Sequence, residues 1–452
     1  MLRNFVLKNY KICKACTLCN FKRFNSEMNN TTFPPNQPSY SNMYRTFKDN
    51  SMLDCISKFA RIRPACLSVQ QVIDFAKNNG TERRSIQFIV NEIPVRIANI
   101  LSELYMLPPQ ILSSTSISHV NNMYKQSMAD LVKFQAYTIP VQNDVLTMFY
   151  DDLFNIYERH INVVQTMAEG IIELKESHLD IFTPQVEKKL QYFFDRFYLN
   201  RIGIRMLISQ HLTLFDKSKN GQTLTKHHVG CFDSKCEINE VVLDAAANAI
   251  DLCYQTYAVE PKFDIICKKK FCSLIFFVIV INCDKSINFV YIPSHLYHII
   301  FELMKNACRA TVEKYENNDI DLKNLKVVIA KGDEDICISI IDYGSGMCRS
   351  VSSQMFNYMF STAPKPIGNG EGFPALAGYG YGLPLSRLYA KYFGGDLKVH
   401  SVDGYGTTST VWLKLRPNEA NELLPTYNYI TRSKYNEKNS VDGADFIISQ
   451  PK

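Results

Sequence analysis

Apolar residues recur every three or four positions between residues 293 and 316, which is the pattern of a helix with one buried face. Pro293 and Ser294 stand where such a helix would begin, because both residue types favour helix starts. The pattern therefore predicts a helix packed against a core. Its apolar positions are Leu296, Ile299, Ile300, Leu303, Met304 and Ala307.

A polar stripe follows the same predicted helix. His298, Glu302 and Asn306 are spaced four residues apart, so their side chains stack along one side of the cylinder. Lys305 and Arg309 form a parallel basic stripe. A solvated helix face would show the same pattern, and a zinc pair of His298 and Glu302 is a second interpretation. A functional site is the third, since a carboxylate between an imidazole and an amide is unfavourable in a core.

The first half of the chain, from about residue 52 to residue 215, has a helical pattern almost throughout. One apolar face continues from residue 146 to residue 171 and predicts a single helix of about seven turns. A second long helix is predicted from Pro184 to Leu214. Shorter helices are expected around residues 72–75, 88–107 and 119–135, which makes an all-helical bundle of four or more members.

Three polar residues fall on the inner faces of this predicted bundle. His160 stands where an apolar residue is expected, and Arg201 and Arg205 are one turn apart. A core histidine with satisfied hydrogen bonds and two arginines with buried stems would explain them. A pocket for a small anion is the alternative.

The second half of the chain has a mixed α/β pattern, which begins after a polar stretch around residues 217–233 that predicts a domain boundary. A helix is predicted over Ile238–Tyr257. Strands that pair across a central helix indicate an α/β sandwich with helices on one sheet face. An apolar run at residues 271–283 fits an extended buried strand. The other strands are predicted over residues 289–292, 325–330, 337–342 and 407–415.

Composition indicates an ordinary globular chain in a reducing compartment. The net charge of +6 over 452 residues is too mild to argue for nucleic-acid binding, and the 14 Cys residues have no paired spacing. Residues 1–26 contain basic residues among apolar ones and no acidic residue, which is typical of a mitochondrial presequence. Residues 27–45 resemble a linker, and no apolar run is long enough to span a membrane.

Glycine residues concentrate in one region. Eight of the 19 glycines lie between Gly344 and Gly382. Gly344 and Gly346 follow a predicted strand that ends at Asp342, and a lid-like loop then leads to a glycine-rich turn before a helix predicted over residues 384–393. Free N–H groups at such a helix start can hold phosphate. Neither a Walker lysine motif nor the eukaryotic protein-kinase motifs are present.

Together, these segments resemble the four nucleotide-binding boxes of the GHKL ATP-binding fold. HLYHIIFELMKNACRATVE, YMFSTAP and GYGYGLPLSRLYAKYFGGDL are similar to the mitochondrial pyruvate dehydrogenase kinases, as are RHINVVQTMAEG and DRFYLNRIGIRMLISQH. The resemblance implies an α+β multidomain fold, with a helical bundle followed by a GHKL α/β sandwich. It divides the chain into a presequence and linker (1–45), the bundle (46–225), the kinase domain (226–420) and a C-terminal tail (421–452).

The resemblance also implies roles for the residues of the kinase domain. Glu302 would be the general base, His298 its neighbour, and Asn306 the ligand of a Mg²⁺ ion that also binds ATP. Asp342 would accept the adenine amino group. The remaining nucleotide contacts would come from Arg309, Gly344, Gly346, Ser361, Thr362, Gly378, Tyr379, Gly380, Tyr381, Gly382, Leu383 and Thr407.

In the bundle, the resemblance implies two further sites. Tyr124, Ser127, His160, Arg201 and Arg205 match a pocket that senses pyruvate and related 2-oxo acids. Three apolar residues match the slot for the lipoyl group of the acetyltransferase core; they are Leu67, Phe75 and Phe88. A homodimer in the mitochondrial matrix is expected, with no nucleic-acid or membrane partner. Asp445 and Phe446 resemble the Asp-Trp tail motif of the family.

The function implied is phosphorylation, and so inactivation, of a serine in the decarboxylase component (E1 alpha) of the pyruvate dehydrogenase complex. The branched-chain 2-oxo acid dehydrogenase kinase shares all four boxes and is the alternative. A histidine kinase would use His160 as its phosphate acceptor, but the usual surrounding motif is missing. A chaperone-like ATPase is the alternative without kinase activity.

Overall fold

The computed structural model describes residues 49–78, 80–136, 143–216, 227–269, 287–315, 322–358, 360–362, 380–436 and 445–448. Residues from Leu53 onward form one compact unit, and before it only the start of the first helix is described. No helix within these ranges is long and apolar enough to cross a membrane. The apolar run at residues 271–283 and the predicted presequence lie outside the described residues.

The N-terminal half is a bundle of helices, as the hydrophobic pattern predicts. Its longest members, α3 and α8, pack against each other, and α5 packs on α3 and α7. Two 3₁₀ turns, Lys133–Ala136 and Leu179–Ile181, follow α5 and α7. The helices are α1 (Asp49–Phe59), α2 (Val69–Lys77), α3 (Glu82–Leu104), α4 (Pro109–Leu112), α5 (Thr115–Val132), α6 (Asn143–Arg159), α7 (Val163–Ser177) and α8 (Pro184–Leu214).

The single long helix predicted over residues 146–171 is wrong, because the chain breaks there into α6 and α7. The amide of Ile161 bonds to the carbonyl of Glu158 at 3.0 Å, which tightens the last turn and ends α6. Arg201 on α8 donates to the carbonyls of His160 and Ile161, at 2.9 and 3.3 Å. The apolar pattern hides this break because both helices bury the same side of the chain.

The C-terminal half is built on a five-stranded sheet of order β3-β5-β6-β8-β7, in which only β3 and β5 are parallel. Helix α10 packs against both α9 and α12, and α10 and α12 lie on the sheet. Strands β1, β2 and β4 form a small second sheet. The elements are β1 (His228–Val229), β2 (Phe232–Glu237), α9 (Ile238–Tyr257), β3 (Phe263–Lys269), β4 (Asn288–Tyr291), α10 (Pro293–Tyr315), β5 (Leu325–Lys331), β6 (Asp335–Asp342), α11 (Arg349–Ser352), α12 (Gly382–Tyr392), β7 (Asp396–Val402) and β8 (Gly406–Lys414).

The predicted central helix and strands are confirmed to within a few residues, but the sequence pattern missed other strands. Strand β3 supplies the parallel edge of the main sheet, and β7 supplies the opposite edge, so β8 lies inside the sheet. Phe232, within the stretch that indicated a domain boundary, begins strand β2. The domain limits inferred from the resemblance stay predictions.

A buried ion pair joins the bundle to the C-terminal half. The guanidinium of Arg96 on α3 lies 3.0 Å from Glu422, and both side chains are fully shielded from solvent. Glu92 binds the same guanidinium at 2.7 Å, and Tyr392 of α12 donates to Glu422. Gly203 of α8 comes so close that an added Cβ would lie 2.5 Å from Arg96. The junction therefore fixes α12 relative to the bundle.

The chain after β8 completes this junction. Strand β9 (Leu423–Pro425) passes beside α8 and pairs with the tail strand β10 (Phe446–Ile448), and helix α13 (Tyr429–Asn436) lies between them in sequence. Arg196 of α8 bonds to Glu103 at 2.8 Å through two nitrogens and to the carbonyl of Asp445 at 2.9 Å. A second buried arginine thus anchors the tail.

We expect the Glu422→Gln substitution to lower the free energy of unfolding by about 3 kcal/mol, because removing one partner of a buried ion pair leaves a buried charge uncompensated. The control is Glu419→Gln, whose exposed pair with Arg416 should contribute little to stability because solvent screens it. Urea unfolding followed by circular dichroism measures both. Equal losses in the two variants would contradict a special role of the buried pair.

Candidate nucleotide-binding site

A cavity of about 560 Å³ lies where helix α10, the end of β6, the start of α12 and the start of α7 meet. Because the bundle supplies one wall and the C-terminal half supplies the others, neither half forms the cavity alone. Most of the sequence-predicted site residues line this cavity.

The polar stripe of α10 faces the cavity on successive turns. His298, Glu302, Asn306 and Arg309 all line its wall. The carboxylate of Glu302 forms an ion pair with Lys305 at 2.8 Å, and Arg309 pairs with Glu313 at 2.6 Å. No group of three or more His, Cys, Asp or Glu in the described ranges could hold a metal, so the zinc interpretation gains no third ligand there.

His298 lies beside Glu302 without a hydrogen bond to it. Burial lowers the pKa of His298, an effect that the Glu302 carboxylate partly offsets. Its Nε2 atom is buried and has no partner among the described residues, and its ring lies 4.7 Å from that of Tyr389. Burial therefore favours the neutral form of this imidazole.

The carboxylate of Asp342 marks the opposite end of the cavity. One of its oxygens, Oδ1, accepts the amides of Gly344 at 3.0 Å and Thr407 at 3.2 Å, since Asp342 and Thr407 face each other across β6 and β8. Burial raises the pKa of Asp342 to about 6, although these two hydrogen bonds act to lower it. The other oxygen remains available to accept from a ligand. Gly344 is not part of the wall and packs behind it, against Ala310.

Gly346 brings the backbone close to this end of the cavity. Its φ of +69° is a left-handed conformation, and an added Cβ would overlap the carbonyl oxygen of Val402. Only glycine fits both conditions. The turn after β6 can therefore lie directly against the β7–β8 hairpin.

The start of α12 lies against Glu302 at the edge of the cavity. Gly382 is the first residue of α12, and an added Cβ there would overlap Oε2 of Glu302. The positive end of the helix and the carboxylate thus border the same space. Gly380, Tyr381 and Leu383 also line it, as do the exposed Ser361 and Thr362. Gly378 and Tyr379 lie outside the described residues.

Sequence reasoning missed the wall that the bundle contributes. Ile161, Asn162 and Gln165, at the break between α6 and α7, line the cavity. The available signal was Asn162, a residue type favoured at helix N-caps, which directly precedes α7. The continuous apolar face concealed it.

A second cluster of polar residues surrounds His160, on the other side of the same break. The imidazole is 3.0 Å from the hydroxyl of Ser127, and its ring lies 4.5 Å from that of Tyr124. Burial and the nearby arginines, Arg201 foremost, lower the pKa of His160 to about 3. Arg205 stacks on the ring of Tyr157 at 4.1 Å. The five residues predicted as an effector pocket are thus brought together.

Three polar atoms of this cluster have no hydrogen-bond partner within the described part of the chain. They are the Tyr124 hydroxyl, His160 Nδ1 and Arg201 Nε, and all are buried. Buried polar groups normally have partners, because an unpaired one costs free energy. The Tyr124 hydroxyl and the Arg201 guanidinium are donors, and together they form a suitable environment for an anion.

The residues matched to the lipoyl slot are partly exposed. Leu67, Phe75 and Phe88 lie before α2, within α2 and on α3, and none of them is buried. The Leu67 amide donates to the Glu422 carboxylate, and the Glu422 amide donates to the Leu67 carbonyl, both at 2.9 Å. The ring of Phe446 lies 5.3 Å from the Arg196 guanidinium, so the tail motif packs on α8.

Two family models match the chain. The model described as mitochondrial branched-chain alpha-ketoacid dehydrogenase kinase matches residues 66–233. The model described as histidine kinase-, DNA gyrase B- and HSP90-like ATPase matches residues 291–417, which include α10, the glycine region and β8.

Curated relatives extend over most of the chain. A Caenorhabditis elegans protein named probable [pyruvate dehydrogenase (acetyl-transferring)] kinase, mitochondrial, is 44% identical over 84% of this chain and 90% of its own. The human isozyme 4 of that kinase is 40% identical over 88% and 92%. This chain belongs to the mitochondrial pyruvate dehydrogenase kinase family. The kinase of Ascaris suum, 44% identical over 83% and 90%, is a further relative of the same name.

Membership of this kinase family confirms the predicted fold class, a helical N-terminal region followed by a GHKL-type ATP-binding α/β domain. It also confirms that the chain is a kinase rather than an unrelated ATPase. The roles of individual residues stay predictions.

We expect the Gly346→Ala substitution to weaken ATP binding at least tenfold, because the added Cβ must displace the turn from the Val402 carbonyl. The matched control is Gly404→Ala. Gly404 has a similar φ of +74° but nothing within 4 Å of an added Cβ. Calorimetric titration with ATP measures the affinity of both variants. Equal losses of ATP affinity would mean that backbone strain alone causes the effect.

Proposed function

We propose that this protein is a mitochondrial protein-serine kinase that uses ATP to phosphorylate, and so inactivate, the decarboxylase component of the pyruvate dehydrogenase complex. The observation that carries the proposal is the position of Glu302, whose carboxylate lies against Gly382 at the start of α12. A base and a phosphate-binding helix end therefore border one space, as transfer of a phosphoryl group to a hydroxyl requires.

The nucleotide would lie between Asp342 and the start of α12. The free oxygen of Asp342 accepts the adenine amino group, because the other oxygen is held by the amides of Gly344 and Thr407. The phosphates approach Gly380 and Gly382, where the first amides of α12, which have no acceptor within the helix, and its positive end favour negative charge.

Asn306 would hold the magnesium ion that accompanies ATP. Its side-chain carbonyl is a neutral, hard oxygen one turn beyond Glu302 and within the same cavity. Mg²⁺ usually takes one or two protein ligands and completes its shell with water and phosphate oxygens, so this donor set fits. When bound, the ion would neutralise charge on the phosphates.

Glu302 would act as the general base. Its carboxylate accepts the proton of the substrate serine hydroxyl, the serine oxygen forms a bond to the γ-phosphorus, and the bond to the bridging oxygen of ADP breaks. The ion pair with Lys305 holds the carboxylate in place. A neutral His298 beside it adds no positive charge that would weaken the base.

The geometry disfavours the histidine-kinase alternative. His160 is fully buried, bonded to Ser127 and enclosed by Tyr124, so its ring has no open path to the γ-phosphate. The branched-chain alternative is not favoured either, because the curated relatives cited above are named pyruvate dehydrogenase kinases.

Incubation with labelled ATP, Mg²⁺ and purified pyruvate dehydrogenase complex should place acid-stable label on the decarboxylase subunit. Glu302→Gln should bind ATP within about threefold of wild type and lose transfer by roughly a hundredfold or more, since only the base is removed. Preferential labelling of the branched-chain complex would contradict the substrate assignment, and acid-labile label on the protein itself would contradict serine transfer.

We further propose that Leu67, Phe75 and Phe88 bind the lipoyl domain of the acetyltransferase core, and that the protein acts as a homodimer in the mitochondrial matrix. The proposed docking site is supported by the partial exposure of these three apolar side chains, which lie in the N-terminal part of the bundle's sequence. The matrix location and the dimer are supported by the family resemblance.

The cluster around His160 would bind pyruvate or a related 2-oxo acid. Its support is that buried polar atoms with no partner among the described residues lie in the same cluster as Arg201 and Arg205. Arg201 also bonds to the carbonyls at the α6–α7 break, next to the Ile161 that lines the nucleotide cavity. An occupied pocket can therefore influence the cavity through this break.

Tyr124→Phe should weaken pyruvate binding about fivefold to tenfold, because it removes a hydroxyl donor that has no partner among the described residues, and it should leave stability unchanged. Tyr291→Phe is the matched control, since its hydroxyl is also buried and without a partner in the described part of the chain, but lies in the small sheet of the C-terminal half. Titration calorimetry measures both. Equal pyruvate affinity in the two variants would show that the Tyr124 hydroxyl does not contribute to pyruvate binding.

A further inference from the structure

Lys314 occupies an unusual position in the last turn of α10. Its ammonium nitrogen donates to three backbone carbonyls, those of Tyr343 and Gly344 at 3.0 Å and that of Gly404 at 3.2 Å. The residue lies about three turns beyond Glu302 on the same helix. It does not line the nucleotide cavity.

The three carbonyls belong to two loops that form one end of that cavity. Tyr343 and Gly344 directly follow Asp342, whereas Gly404 lies at the tip of the β7–β8 hairpin. The same loops touch a second time, where the Gly404 amide bonds to the Ser345 carbonyl at 2.6 Å. Lys314 therefore joins α10 to both loops at the point where they meet.

The chemistry of this arrangement favours an ammonium group. Three carbonyl oxygens that point at one position repel one another, and an ammonium supplies three donors and a positive charge there. The same charge lies close enough to Asp342 to oppose the rise of its pKa caused by burial. Loss of the ammonium would remove the attraction that holds the loops to α10.

We infer that Lys314 is a positioning residue for nucleotide binding, which holds the Asp342 loop at a fixed place relative to Glu302 and Asn306 on α10. The inference rests on the proposed function, in which Asp342 accepts the adenine amino group. Lys314 sets the separation between the adenine end and the phosphate end of the site. It acts on the adenine end because the three carbonyls to which it donates belong to those two loops.

The test compares Lys314→Met with Lys323→Met, a charge-matched control. The Lys323 ammonium lies over the Tyr343 ring, 5.4 Å from its centre, so the control removes an equal charge from the same neighbourhood. The dissociation constants of ATP and of inorganic triphosphate are measured by calorimetry, together with KM, kcat and the Tm of the full chain.

For Lys314→Met, we expect the ATP dissociation constant and KM to rise about tenfold, because charge-assisted bonds that order the adenine loop are lost. The dissociation constant of triphosphate and the kcat at saturating ATP should stay within about twofold. Lys323→Met should match wild type in every measurement. Lys314→Arg keeps the charge but spreads its donors over a planar fork, so it should recover part of the ATP affinity.

Unchanged ATP affinity in Lys314→Met would overturn the inference, because water would then replace the ammonium. Equal weakening of ATP and triphosphate, with a lower Tm, would also overturn it by indicating a general structural role. If Lys314→Met does not fold, the measurements are made on Lys314→Arg instead. Equal losses of ATP affinity and triphosphate affinity in that variant would contradict the inference. A wild-type protein that binds no ATP would instead contradict the proposed function.

Discussion

The buried ion pair between Arg96 and Glu422 is the interaction on which the arrangement of the molecule depends. A buried charge is tolerated only when its partner is in place, so α3, α12 and the segment after β8 must assemble together. Helix α12 begins at Gly382, against Glu302. The pair therefore acts at a distance on the site, because it fixes the helix whose start would receive the phosphates.

The bundle and the kinase half share their functional elements. The break between α6 and α7 has His160 on one side, within the polar cluster, and Ile161 on the other, in the nucleotide cavity. Arg201 bonds to both backbone carbonyls while its Nε lacks a partner in the described chain. An anion bound there and a nucleotide bound in the cavity would contact the same short segment from opposite sides.

The spacing of apolar residues was sufficient to predict an element where that element buries one continuous face. Helix α10 runs from Pro293 to Tyr315, close to the predicted span, and its polar stripe faces the cavity. The pattern failed at the α6–α7 break, where two helices bury the same side, and at β3 and β7, whose short segments are mixed in polarity. Local patterns do not record which edge of a sheet a strand will occupy.

The sequence by itself determined the kinds of element, the helix that bears Glu302 and Asn306, and the glycines that allow close backbone approach, because these depend on local spacing. Only the tertiary structure decided that α7 forms a cavity wall, that Gly382 lies against Glu302 and that Lys314 meets three carbonyls from two loops. Such contacts join residues far apart in the chain, and side-chain packing rather than local propensity selects them. For α10, the sequence therefore determined which residues form the polar stripe, and the tertiary structure determined which groups those residues face.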